Sequence, residues 1–235
     1  MLKNKSKSGF TLAEILITLT VIGVVAALTI PTLLQNTNQA ELKTALKRDF
    51  ADLQQVALLI KNDAGGSYVN AFRSPQGNGY DSENLKNAFK NKLGYIKECH
   101  GVTAFGSNGS GASGEGCWHP SNTSKFLNGN YETASYLMPG LVLNNGTLIT
   151  FQVDSSNCAT NVGEYTRCAQ MALDVNGFKA PNVYGKDMFL VNLEDINGLL
   201  PCGARGWGDP LVECVPGSTD NANRGQACTA LYLYQ

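Results

Sequence analysis

The sequence is poor in charge and in histidine. Charged side chains make up 16% of the 235 residues, and His100 and His119 are the two histidines. It has no G-x-S-x-G nucleophile elbow and no G-x-x-x-x-G-K-[ST] phosphate-binding loop. We therefore expect a protein that is not an enzyme and that has no catalytic residues and no required cofactor.

Charge is almost absent from one long stretch near the N-terminus. Three lysines precede Gly9, and the 21 residues from Phe10 to Ile30 contain Glu14 as their one charge. As a helix this stretch would be roughly 30 Å long, the thickness of a bilayer's hydrocarbon core. A secretory signal peptide usually has an apolar core of about 7–15 residues with a small-residue cleavage site after it. Here the small residue comes first, so cleavage after Gly9 would leave the helix on the mature protein.

The segment Gly9-Phe10-Thr11-Leu12-Ala13-Glu14, followed by an apolar stretch and Pro31, resembles the class III leader of type IV pilins and type II secretion pseudopilins. The motif covers about a tenth of the chain. The resemblance implies that a prepilin peptidase cuts between Gly9 and Phe10 and methylates the new amino group of Phe10. It also implies that the helix holds the subunit in the inner membrane before filament assembly.

Glu14 is the most unusual residue of this stretch. A carboxylate inside a membrane span is costly, so it needs a partner. The resemblance implies a salt bridge to the cationic amino terminus of a neighbouring subunit's Phe10, which would reward the correct axial register. The alternative is a carboxylate near the lipid headgroups with no specific partner.

Two functions follow from the resemblance. The first is a structural subunit that assembles through its N-terminal helix into a type IV pilus or a type II secretion pseudopilus. The alternative is a low-abundance binding module carried on such a filament, for adhesion or for capture of DNA or a secreted substrate. The expected partners are other pilin or pseudopilin subunits, the prepilin peptidase and inner-membrane lipid.

The distribution of charge predicts the orientation of the chain in the membrane and whether it binds nucleic acid. Lysines before the span place the N-terminus in the bacterial cytoplasm by the positive-inside rule. The expected protein is therefore a single-pass inner-membrane protein with a periplasmic head, found later in a filament in the periplasm or at the cell surface. Without the three lysines of the leader, the 18 basic side chains become 15, against 19 acidic ones. This balance argues against nucleic-acid binding, which usually needs a clustered basic excess.

The pattern predicts a leader (1–9), a membrane and assembly helix (10–30), an amphipathic continuation (31–62) and a globular head (63–235). Apolar residues recur every three to four positions from Leu42 to Ile60, which is typical of a helix with one buried face. Gly65 and Gly66 predict its end near Asp63. We expect Pro31 to kink this long helix or to break its hydrogen-bond ladder locally.

The head is predicted to be α+β, with an antiparallel sheet packed on the long helix. A short helix begins at Ser82, and Asn144-Asn145-Gly146 favours a hairpin turn between two apolar strands. The predicted strands are Leu141–Leu143, Thr147–Val153, Gln170–Val175 and Met188–Asn192, with a last strand at Ala230–Tyr234. The resemblance implies the same pilin-like fold. Residues 101–130 are rich in Gly, Ser and Asn and read as a surface loop.

All seven cysteines follow the predicted span, and disulfides persist outside the cytoplasm. Two local pairs each bracket a polar loop, Cys99 with Cys117 and Cys158 with Cys168. Cys202, Cys214 and Cys228 leave one unpaired thiol whichever two of them join. Spacing alone does not fix the connectivity.

The segment from Asp174 to Asp187 is open to two interpretations. Asp174, Asn176 and Asp187 carry side-chain oxygens near a glycine, and such oxygens can bind calcium. The segment also resembles a recurrent stretch of pseudopilin-like heads, some of which bind calcium in a sheet-connecting loop. However, it lacks the twelve-residue calcium-loop pattern with its terminal glutamate. The alternative is a turn in which Asp and Asn cap backbone amides.

Overall fold

The computed structural model describes residues 9–72, 82–100, 117–120, 122–132, 138–154, 157–162, 164–205, 208–215 and 224–234. Helix α1 spans Leu12–Asp63 and continues through Pro31. The predicted long helix is therefore confirmed, whereas a kink at Pro31 stays a prediction. The chain divides into two compact units, one up to Glu41 and one from Leu42 onward.

The C-terminal end of α1 shows why the helix stops at Asp63. The amide of Gly66 donates to the carbonyl of Lys61 at 2.8 Å, and the amide of Gly65 donates to the carbonyl of Asn62 at 3.1 Å. Both glycines have positive φ angles, +80° and +95°. Glycine adopts this left-handed conformation without steric cost, so the pair ends the helix and satisfies its last carbonyls.

The head is built on a six-stranded antiparallel sheet with strand order β1-β2-β3-β6-β7-β8. Its strands are β1 Tyr95–Cys99, β2 Gly140–Leu143, β3 Leu148–Val153, β6 Ala169–Asp174, β7 Met188–Glu194 and β8 Gly198–Pro201. A separate two-stranded sheet pairs β4 (Thr160–Val162) with β5 (Tyr165–Arg167). The described part of the head also contains α2 (Ser82–Lys90), α3 (Pro210–Glu213), α4 (Cys228–Tyr234) and a 3-10 turn (Tyr68–Asn70).

The core lies between α1 and one face of this sheet. The apolar residues that recur along the second half of α1 are buried there: Leu46, Phe50, Leu53, Val56, Ala57 and Ile60. They pack with alternate residues of the central strands, including Ile149, Phe151, Met171 and Val191. Alternate residues of a strand face the same side, so each central strand presents one face to the helix. This arrangement confirms the predicted α+β fold.

The predicted hairpin is confirmed with a shift of one residue at its turn. Gly146 has φ +90°, and its amide donates to the carbonyl of Leu143 at 2.9 Å. Strand β3 begins at Leu148 rather than at Thr147. The Thr147 hydroxyl instead donates to Asp49 of α1 at 2.6 Å, which ties the turn to the helix.

The four predicted strands are incomplete as a description of the sheet, because β1 and β8 extend it on either side. β1 carries Tyr95, Ile96 and Lys97 exposed and pairs on one side with β2, so its sequence has no clear apolar alternation. β8 has four residues, too few for a periodic signal.

The predicted last strand at Ala230–Tyr234 is wrong, because this segment is helix α4. Alternating Leu and Tyr in Leu231–Tyr234 imitate a strand pattern. The buried contacts instead follow helical spacing: Cys228 and Thr229 are buried, and Tyr232 packs edge-on against Phe189 with ring centroids 5.6 Å apart. The tertiary contacts of α4 thus override the short local pattern.

Candidate functional site

The N-terminal motif places a reciprocal hydrogen-bonded cap at the start of α1. The Glu14 carboxylate Oε2 accepts from the Thr11 amide at 2.8 Å and from the Thr11 hydroxyl at 2.7 Å. The Glu14 amide in turn donates to Thr11 Oγ1 at 3.3 Å. This is the capping box that Thr-x-x-Glu sequences form. It provides hydrogen-bond acceptors for backbone amides that have none within the first turn of a helix. Glu14 therefore has a partner within its own chain.

Gly9 and Phe10 lie just before the helix, outside any regular element and exposed. A Cβ added to Gly9 would meet no atom within 4 Å. Packing within this chain thus does not require glycine at this position. The bond between Gly9 and Phe10 is accessible from solvent, which a peptidase needs.

The first half of α1 exposes apolar side chains on every face. Large side chains remain exposed at successive positions along it: Ile15, Leu16, Ile17, Leu19, Val21, Ile22, Val24, Val25, Leu28, Ile30, Leu33 and Leu34. α1 is also the one helix of the described residues that is long and apolar enough to cross a membrane. So large an apolar surface marks contact with lipid or with other protein chains.

Threonines within this apolar stretch bond to their own helix. The hydroxyls of Thr18, Thr20 and Thr29 donate to the carbonyls of Ile15, Leu16 and Val25 at 2.8–2.9 Å. Thr32 donates likewise to the carbonyl of Thr29 at 2.9 Å. A polar group in hydrocarbon must find such an internal partner, so these residues suit an apolar surrounding.

In the head, Asp174 lies buried against His119. The two side chains are hydrogen-bonded, His119 Nε2 to Asp174 Oδ2, at 2.8 Å, and both are almost fully buried. The other carboxylate oxygen, Oδ1, accepts from the Asn176 amide at 3.2 Å. Burial raises the pKa of Asp174 to about 7; the nearby Asp187 carboxylate adds to this rise, and the His119 hydrogen bond opposes it. The two residues are 55 positions apart in the sequence, so no local pattern predicts this pair.

Asp187 organises the connection between β6 and β7. Its two carboxylate oxygens accept from the amides of Val183 and Asn182, both at 2.8 Å. Burial raises the pKa of Asp187, and these amide contacts oppose the rise. Asn176 donates from its side chain to the carbonyl of Ala180 at 3.4 Å. These are the contacts that the turn interpretation expects. The side chains of Asn176 and Asp187 are also hydrogen-bonded, and the carboxylates of Asp174 and Asp187 lie close enough for their charges to interact. Calcium binding by these three residues stays a prediction.

The structure joins the cysteines in three disulfides: Cys99–Cys117, Cys158–Cys168 and Cys214–Cys228. The first two are the local pairs named from the sequence. Cys202 is the free thiol and is fully buried. Burial raises its pKa well above the usual value of a thiol. Of residues 101–130, which were predicted to form a loop, 101–116 and 121 lie outside the described residues.

The family model of the prokaryotic N-terminal methylation motif matches residues 4–30. The chain carries the type IV pilin and pseudopilin signature. This signature supports a pilin-type or pseudopilin subunit, a structural role rather than an enzyme. With the apolar helix it fits a membrane-anchored precursor. No curated protein and no solved structure matches the chain.

Two features of these sites were not predicted from the sequence, although one of them could have been. The cap between Thr11 and Glu14 was readable, because Thr-x-x-Glu before an apolar run is the sequence form of a capping box. The surroundings of Asp187 could not have been predicted in this way. They adjoin the segment around Lys125, which bridges Val183 although the two residues are more than fifty positions apart in the sequence.

Proposed function

We propose that this chain is a filament subunit. It is held in the inner membrane by the first half of α1, cut between Gly9 and Phe10, and methylated on the new amino group of Phe10. It then assembles through the same helix into a type IV pilus or a type II secretion pseudopilus.

One observation carries this proposal: the first half of α1 is apolar and exposed all round. A helix with one apolar stripe would need one partner surface, whereas this one needs to be surrounded. Lipid surrounds it in the precursor, and the helices of neighbouring subunits surround it in a filament. Both environments are apolar, so the transfer between them costs little hydrophobic free energy.

Glu14 supplies the specificity that apolar packing lacks. In a single chain its carboxylate is bonded to the neutral amide and hydroxyl of Thr11. Cleavage creates a cationic amino group on Phe10, four residues before Glu14. A charge-assisted hydrogen bond to the amino group of a neighbouring subunit is roughly twice as strong as a neutral one. A subunit out of register would lose that bond, so pairing selects the correct axial position.

The alternative, a binding module carried by a filament, is favoured by one feature of the head. Leu211, Val212 and Val215 are exposed beside Cys214, which a disulfide joins to α4. Exposed apolar residues next to a disulfide-bonded cysteine form a contact surface for a partner. Their charge-poor character favours a protein partner over nucleic acid.

Abundance separates the two functions. Filaments sheared from the producing bacterium are analysed by quantitative mass spectrometry together with their companion proteins. A structural subunit should dominate the fraction, and a carried module should be scarce in it. The companion proteins identify the machine as a pilus, a secretion pseudopilus or a competence filament. Absence of the chain from every filament fraction would refute both versions.

A further inference from the structure

The two edges of the sheet in the head carry different exposed side chains. Strand β1 forms one edge and strand β8 the other. In β1, Tyr95 and Lys97 pair with adjacent residues of β2, although two positions separate them in their own strand. Ile96 is therefore an extra residue, and such a bulge breaks the regular alternation of side chains. Tyr95, Ile96 and Lys97 are accordingly all exposed, Ile96 to 70%.

Lys97 leaves a positive charge unbalanced at this edge. The carboxylate of the next residue, Glu98, is paired with two lysines of α2, so it is already neutralised. Lys97 forms no ion pair within the part of the chain that the structure describes. Tyr95, Ile96 and Lys97 thus form a small surface, the β1 surface, that is both apolar and cationic.

The other edge carries exposed apolar side chains next to a carboxylate. Helix α3 lies beside the residues that follow β8, since Pro210 Cγ comes within 3.0 Å of the position that a Cβ on Gly203 would occupy. Leu211 and Val212 of this helix are 80% and 46% exposed. Asp209 caps α3 by accepting from the Leu211 amide at 2.9 Å, and it is exposed as well. Asp209, Leu211 and Val212 form the α3 surface, which is apolar and anionic.

The β1 surface and the α3 surface complement each other. Each places one charge beside exposed apolar side chains, and the two charges have opposite signs. Two β1 surfaces in contact would set Lys97 against Lys97, and two α3 surfaces would set Asp209 against Asp209, which like-charge repulsion disfavours. The charges therefore favour a β1 surface against an α3 surface. Five strand spacings of about 4.8 Å separate the two edges of one sheet, so this pairing joins two copies.

We propose that the β1 surface of one head binds the α3 surface of a second copy of this chain. Lys97 pairs with Asp209 in this contact, and Ile96 packs against Leu211. The inference rests on the proposed function, because it adds a contact between heads to assembly through the N-terminal helix. The contact is heterologous: each copy keeps one surface free, so the contact repeats along an open row, as a filament requires.

The size of the two surfaces sets the strength of the contact. A stable interface has roughly 20–30 residues a side, and these surfaces have far fewer. The contact therefore does not hold two free heads together in solution. It acts between heads that their membrane helices already hold side by side, where the effective concentration is high.

The test uses the full-length chain with the photoreactive residue p-benzoylphenylalanine in place of Tyr95. The protein is purified in detergent and reconstituted into vesicles of phosphatidylethanolamine and phosphatidylglycerol, which gather the heads at one surface without cleavage or filament assembly. Irradiation should give a ladder of covalent multimers, because each copy carries both surfaces. Peptide mapping should join the peptide that contains residue 95 to a peptide that contains residues 209–212 of another copy.

Charge reversal tests the pairing of Lys97 with Asp209. Lys97→Glu and Asp209→Lys should each lower the yield of multimers by about fivefold, because a repulsion replaces an attraction. The double variant exchanges the two charges and should recover most of the yield, whereas a variant that only misfolds would not be rescued. Lys179→Glu is the matched control, because it reverses an exposed lysine of the β6–β7 connection, outside both surfaces. It should leave the yield unchanged.

The inference is overturned if irradiation gives no multimers, or if the mapped peptide lies outside the α3 surface. It is also overturned if the double variant stays as low as the single variants. The proposed function is judged separately, by the presence of the chain in sheared filaments. A chain that is present in filaments but crosslinks from residue 95 only to a different protein would overturn the contact between heads and leave the filament role standing.

Discussion

The carboxylate of Glu14 accepts hydrogen bonds from both the amide and the hydroxyl of Thr11, at 2.8 and 2.7 Å. Glu14 therefore enters any assembly step already bonded within its own chain. In the proposed membrane-anchored precursor, this cap would keep the carboxylate paired. In the proposed assembly, the amino group of a neighbouring subunit's Phe10 would compete with Thr11 for this carboxylate or share it.

Two substitutions at Glu14 separate its two roles. Glutamine can still form a capping box, because Glu and Gln both serve at this position, but it carries no charge. Alanine removes both the cap and the charge. If charge pairing sets the register, Glu14→Gln and Glu14→Ala should both reduce the yield of sheared filaments severely. Both should still insert into the membrane, because removing a charge from the span favours insertion.

Thr11→Ala provides the complementary measurement. It removes the hydroxyl of the cap, at a cost of about 1 kcal/mol in helix stability, and leaves the Glu14 charge in place. Filament yield should stay much closer to wild type than in Glu14→Gln. If Glu14→Gln assembles normally while Thr11→Ala fails, the cap and not the charge is the essential feature.

Processing can be tested at Gly9 without disturbing the fold. A side chain at Gly9 would meet open space, so Gly9→Val should leave α1 and the head intact. We expect it to block cleavage, since the bulkier residue alters the bond that the peptidase must cut. Intact-mass measurement should find wild type starting at N-methylated Phe10 and Gly9→Val still carrying Met1–Gly9. A wild-type protein that keeps its leader in a host with active prepilin peptidase would refute the leader assignment.

How far the sequence predicts this protein depends on the range of each interaction. The N-terminal motif, the long helix and the Asn144–Gly146 hairpin are local features, and each was predictable from neighbouring residues. The edge strand β1 was missed because its exposed residues do not alternate. α4 was misread because tertiary contacts, such as that of Tyr232 with Phe189, decide its conformation.

The contacts of the segment 174–187 could not be predicted from the sequence, for a related reason. The sequence shows that the segment 174–187 contains several polar side chains, but it does not show which of them face one another. His119 is hydrogen-bonded to Asp174, and the segment around Lys125 pairs with Val183; both contacts come from a part of the chain far from 174–187.

The buried Asp174 predicts a pH dependence of head stability. Its folded-state pKa of about 7 lies above the ordinary value of 3.8, chiefly because of burial. The folded state therefore favours the protonated carboxyl. This stabilisation is fully present below the unfolded pKa and is lost as the pH rises through about 7. The ionised form would place a buried negative charge near the Asp187 carboxylate.

In EDTA, the melting temperature of the full-length chain should fall between pH 5 and pH 8. Asp174→Asn should flatten this dependence, because asparagine does not titrate. A melting temperature that rises over this pH range in wild type would contradict the raised pKa.

The last prediction concerns the cysteines. Peptide mapping without reduction should recover Cys99–Cys117, Cys158–Cys168 and Cys214–Cys228, whose sequence separations are 18, 10 and 14. A closed loop of this length stabilises the folded state by roughly 3 kcal/mol on the chain-entropy model, so reduction should lower the melting temperature of the head.

Cys202 should resist alkylation in the native protein, because it is buried and its pKa is raised. It should react once the protein is unfolded in denaturant without reductant. Rapid native labelling of Cys202, or its recovery in a disulfide with Cys214 or Cys228, would show that the C-terminal segment folds differently.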